Sequence, residues 1–95
     1  MRRKHIVNRI RSNRRILNFE QKDIAKRFGL RDTAMISRWE NGETMPSADN
    51  LIKLALLFRR HPYDLYPELV HEYKKELFPE EAEILDKIYK PDSGP

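Results

Sequence analysis

An all-α fold is predicted for this 95-residue chain, on three observations. Apolar residues recur three and four positions apart along most of its length, the spacing that gathers them on one face of a helix. No stretch alternates apolar with polar side chains as a half-buried strand would. Glycine is scarce, three in all, and two of the three follow helical runs, where a stop needs a residue tolerant of left-handed backbone.

The elements follow in order. Ile6, Ile10, Asn13 and Leu17 share helical spacing, which predicts a first helix over about residues 5–17. Asn18 then occupies the stop, since Asn accepts left-handed backbone better than most residues. A second helix over about 21–28 gathers Ile24, Ala25 and Phe28 on one face and ends at Gly29. The third lies in "TAMISRWENG", residues 33–42, with Asp32 or Thr33 as its N-cap and Gly42 as its stop. Pro46 and Ser47 open a fourth, whose apolar face is Leu51, Leu54, Ala55 and Phe58. Pro62 suits the first turn of a short fifth helix carrying Leu65.

Past that point Leu65, Leu69, Tyr73 and Leu77 recur every four residues, with Val70 beside them. After Pro79, Ala82, Leu85, Ile88 and Tyr89 make a second stripe. The expected architecture is therefore a five-helix unit over residues 1–66, a C-terminal extension of one or two helices over 67–90, and a flexible tail at 91–95. The extension's stripes call for cover, either on the chain itself or on another copy. Val7 and Ile16 lie off the main stripe of the first helix and are expected to meet the tail, or a partner protein.

Composition narrows the function. With no cysteine, neither a disulfide framework nor a thiolate metal site is available. No apolar run approaches the roughly 18–20 residues that span a bilayer, so no membrane role is expected. Met-Arg-Arg-Lys looks like the charged start of a secretion signal, but no apolar segment follows it. The expected compartment is the cytoplasm.

Net charge is +4, unevenly spread. Residues 1–31 hold eleven Lys/Arg against two acids, whereas residues 66–95 hold four against eight. A basic first third suits a polyanion. Arg2, Arg3, Lys4, Arg9, Arg11 and Arg15 are either a phosphate-binding arm and face or a solubilising surface.

Catalytic readings fail. His71-Glu72 begins a zinc-protease-like string, but residue 75 is Lys where the motif needs His. Glu80, Glu81 and Glu83 form a carboxylate run at a helix start, where the macrodipole favours them. No phosphate loop or nucleophile elbow occurs. No cofactor and no metal are expected, and the chain is not expected to be an enzyme.

The third helix carries the sharper signal. Ile36 and Trp39 fall on its buried stripe, while Thr33, Ala34, Ser37 and Arg38 fall on the opposite one. Two short helices joined by Gly29-Leu30-Arg31-Asp32 cross steeply, as in a helix-turn-helix. Small residues at 33, 34 and 37 let such a helix enter a groove about 12 Å wide, and Arg38 could then reach guanine O6 and N7.

At these residues the chain resembles the Cro and phage-repressor type of helix-turn-helix regulators, often called the Xre family. The likeness covers about residues 6–66 and rests on "NRIRSNRRILNFEQKDIAKRFG", "ISRWENG", "PSADNLIKLALLF" and "DLYPEL". It implies binding of double-stranded DNA, with Gln21 on a backbone phosphate and Thr33, Ala34, Ser37 and Arg38 facing the major groove. Asn41 and the loop through Thr44 would offer main-chain and side-chain donors to phosphates. Arg14 and Glu40 match a structural salt bridge between the first and third helices. Many relatives bind palindromes as homodimers, and here residues 66–89 are the candidate dimerising or self-packing element.

There are departures. The connection before the third helix is one residue longer than in short-turn members, and Arg31 within it could restore a phosphate contact. Glu20 stands where Ser or Thr usually caps, and Arg59 where glycine is frequent. Glu43 stands where many relatives carry a cation beside phosphate. That carboxylate and the acidic tail favour a second reading: a protein-interaction adaptor of antitoxin or coactivator-like type, binding a protein partner through the third helix or the extension.

Overall fold

A computed structural model describes residues 5–81 and Lys87. Among these residues the fold is all helical, with α1 Ile10–Ile16, α2 Gln21–Arg27, α3 Ala34–Glu40, α4 Ala48–Phe58, α5 Pro62–Leu65 and α6 Pro67–Leu77. Residues 79–81 are again helical. Arg2, Arg3 and Lys4, the second stripe with Ala82, Leu85, Ile88 and Tyr89, and the tail at 91–95 lie outside the described residues.

One core unites the first five helices and the start of α6. Ile10, Ile24, Ile36, Trp39, Leu54 and Leu65 are essentially inaccessible, one or two from each of α1 to α5. Leu69 brings α6 onto the same cluster. The polar Asn13 is buried among them and bonded at both ends: its amide donates to the Arg9 carbonyl at 2.8 Å, and its Oδ1 accepts from Arg60 Nε at 3.1 Å.

Four helices stop in the same way. Asn18, Gly29, Gly42 and Arg59, each just past a helix, have φ of 61°, 69°, 75° and 55°. In each case the next residue's N–H reaches back to a carbonyl five positions earlier: Phe19 to Arg14, Leu30 to Ala25, Glu43 to Arg38 and Arg60 to Ala55. Arg59 thus takes a left-handed conformation that glycine would adopt at less steric cost. Ser47 caps α4, its Oγ accepting from Asn50 N–H.

The first helix is shorter than the expected 5–17. Residues 5–9 run irregularly into the end of α3, because Asn8 has better partners than a helical turn would supply. Its Oδ1 accepts the Ile10 N–H at 3.0 Å, and its Nδ2 donates to the carbonyls of Ile6 (3.0 Å) and Trp39 (2.9 Å). The Ile6 N–H donates to the Gly42 carbonyl at 2.9 Å. Leu17, expected on the buried stripe, is 40% exposed.

The extension is packed at one end. Its stripe is covered only at the start: Leu69 is buried, Tyr73 is 42% exposed and Leu77 69%. Val7 lies beside Leu69 and Tyr73 along an open groove, but Ile16 is 69% exposed and is not covered by any described residue. No helix among the described residues is long and apolar enough to cross a membrane.

Candidate nucleic-acid interface

The site is built on α2, the turn after it, and α3. Asp23 closes the start of α2 by accepting the Glu20 N–H through its carboxylate at 2.8 Å, so the chain needs no Ser or Thr at position 20. Asp32 opens α3: its Oδ1 accepts the Ala34 N–H at 2.9 Å, while Thr33 sits in the cap position without a side-chain bond. Thr33 therefore holds the cap position while Asp32, one residue earlier, supplies the bond.

Burial divides α3 sharply. Ile36, Trp39 and Glu40 are buried, while Ala34, Met35, Arg38 and Asn41 are exposed. Thr33 and Ser37 are half-buried at the margin, and Arg31, Glu43 and Thr44 are exposed on either side of the helix. Trp39 is 1% exposed and therefore part of the core rather than a stacking platform.

Beneath the exposed face a hydrogen-bonded chain ties three helices together. Arg14 pairs with Glu40 through Nε to Oε2 at 2.5 Å and Nη2 to Oε1 at 3.1 Å, and its Nη1 also donates to the Phe19 carbonyl. Gln21 Nε2 donates to Glu40 Oε1 at 3.1 Å, and Gln21 Oε1 accepts the Ser37 hydroxyl at 3.1 Å. Arg11 reaches Glu40 Oε1 at 3.2 Å with Nε and Asn41 Oδ1 at 2.7 Å with Nη2. Burial would raise the Glu40 pKa, but the bonds from Arg14, Gln21 and Arg11, with the charge of Arg14, outweigh it and hold the pKa below the ordinary value. Glu40 is therefore an anion at neutral pH, surrounded by donors.

This arrangement redistributes the expected donors. Ser37 and the Gln21 oxygen are spent on each other, which fixes the Gln21 amide, whose Nε2 carries a second proton besides the one given to Glu40. Asn41 gives its oxygen to Arg11 and keeps its NH₂. In the loop the N–H groups of Gly42 and Glu43 donate to the carbonyls of Trp39 and Arg38 at 3.0 and 2.9 Å. The bond from the Thr44 N–H to the Arg38 carbonyl is the longest of these at 3.5 Å, and the Thr44 side chain is exposed beside it. Ala34 and Arg38 stand on the open face, and Arg31 on the turn.

Sequence reasoning missed one residue of the site and the partners of another, Arg11. Met35, 40% exposed, belongs to the outer face of α3, and it lies three positions before Arg38, a spacing that places both on one side. Arg11 sits three residues before Arg14 on the same face of α1, a signal that could have suggested a shared carboxylate. Among the described residues, no group of three His, Asp or Glu side chains is placed to hold a metal ion.

The helix-turn-helix family matches residues 10–65, more than half of the chain. A crystal structure of a Bacteroides fragilis protein, provisionally named DNA-binding, is 30% identical and superposes with a TM-score of 0.56. The match covers 62% of this chain and 94% of that one. No curated protein matches the chain.

Proposed function

The chain belongs to the helix-turn-helix family of the Xre and Cro type, and from that premise we propose that it is a sequence-specific, double-stranded-DNA-binding transcriptional regulator of the cytoplasm. The observation that carries this reading is the division of α3: three side chains sunk in the core, and a shallow opposite face with one exposed guanidinium.

In this mechanism α3 enters the major groove. Arg38 donates its two-pronged guanidinium to O6 and N7 of a guanine, and Ala34 and Met35 lie against thymine methyls. The second Gln21 amide proton, the Asn41 amide, the Thr44 hydroxyl and Arg31 position the helix on phosphates, which fix register without reading sequence. The rigid base under α3 supports such reading, since Glu40 ties it to α1 and α2 through four charge-assisted bonds. A two-fold pair of chains would present two copies of α3 about 34 Å apart, one helical turn of DNA.

Selection from a pool of random duplexes tests the reading. The expected result is one enriched motif, read as two inverted half-sites if the chain acts as a dimer. Affinity for that motif should fall steeply with added salt. Recovery of the input sequence distribution would contradict it.

The adaptor reading has its own support in the exposed Glu43 beside the presumed phosphate path and in the uncovered stripe of α6. It predicts no enriched motif and a protein partner held through the extension.

A further inference from the structure

Among the described residues two open grooves differ in the charge that lines them: carboxylates on one, guanidiniums on the other. The larger, about 790 Å³, runs between residues 5–7 and α6 and is edged by Glu68, Glu72 and Glu76. The smaller, about 330 Å³, lies between the end of α1 and the end of α4. Leu17, Phe19, Leu56 and Leu57 floor it, and Arg27 and Arg59 edge it. Leu56 is 73% exposed, and Ile16 nearby on α1 is 69% exposed. Arg27 is held in place by stacking over the Phe19 ring at 5.3 Å.

The chain also contains a segment of matching chemistry. Residues 80–89, "EEAEILDKIY", hold four carboxylates against one lysine, and Ala82, Leu85, Ile88 and Tyr89 recur at helical spacing. Its acids are repelled by the glutamate-edged groove and attracted by the arginine-edged one. Every residue from 71 to 81 is exposed. Seven of these complete α6, so the helix carries the chain about 10 Å onward along its axis before the acidic segment begins.

We propose that two copies exchange these segments: residues 80–89 of one chain seat on the Leu17–Leu56 groove of the other, carboxylates against Arg27 and Arg59. The contact is made twice under two-fold symmetry. Each half therefore needs to bury only about 600 Å², counting both sides, to reach the roughly 1,200 Å² of a stable interface. This inference rests on the dimeric form of the proposed function and says where that dimer is built. It does not require DNA.

Sedimentation equilibrium of the full chain, without DNA, tests it at two salt concentrations. The expected result is a dimer that weakens with salt, because part of the attraction is between exposed charges. Leu56→Glu and Leu85→Glu should each weaken it at least about tenfold. Leu56 is a surface side chain, so circular dichroism should be unchanged. Should that variant unfold, Arg27→Glu with Arg59→Glu decides the matter: it should weaken the dimer, and adding Glu80→Lys and Glu83→Lys should restore it. A monomer throughout the micromolar range, or a dimer indifferent to both the Leu56 and the arginine substitutions, would overturn the proposal. Arg38→Ala should leave the dimer unchanged, which separates failure here from failure of DNA reading.

Discussion

Glu40 is the side chain on which most of the interface geometry converges. It is 8% exposed and accepts from Arg14, Gln21 and Arg11. Removing one partner leaves the other charge buried, so Arg14→Ala should cost about 3 kcal/mol, read by urea unfolding at neutral pH. The pH dependence has a definite sign. Because the folded-state pKa of Glu40 is held below 4.5, its ionised form stabilises the fold at pH above that value. This contribution is lost as pH falls through the folded pKa. The stability gap between the native chain and Glu40→Gln should therefore be widest near neutrality and close with acidification. A gap constant from pH 7 to pH 3 would show that the charge of Glu40 plays no part. At this scale the sequence was half legible. Family likeness pairs residues 14 and 40, but that Gln21 and Ser37 would consume each other depends on how α2 crosses α3, which spacing does not reveal.

Helix ends were easier to read than helix starts, for a physical reason. A stop is encoded locally, by a residue that tolerates positive φ, and Asn18, Gly29 and Gly42 announce it. The start of α1 is set by Asn8, whose partners are carbonyls more than thirty residues away, so apolar spacing alone extended the helix too far. The two turn glycines separate the local requirement from the tertiary one. Both have positive φ, but a Cβ at Gly29 meets nothing within 4 Å, whereas at Gly42 it would strike the Ile6 backbone. Gly29→Ala should cost about 1 kcal/mol, the conformational penalty alone. Gly42→Ala should cost clearly more, since it also displaces residues 5–8 from the end of α3. Equal melting temperatures for the two variants would contradict this account of how α3 is anchored.

Across the whole molecule, charge and cover determine what each surface can meet. The basic first third and the acidic last third were visible in composition. Which residues of the apolar stripes would stay uncovered was not, because Leu17 and Leu77 look like core until the packing of neighbouring helices is known. The described structure buries a single core and leaves α3 with an open face, and that face is the central claim. It is tested most directly by measuring, for the native chain and for Arg38→Ala, the affinity for a selected duplex and for every single-base-pair variant of it. The account predicts that Arg38→Ala loses discrimination worth about 1–3 kcal/mol at one guanine position while preference elsewhere persists. An identical base-by-base profile for the two proteins would contradict it.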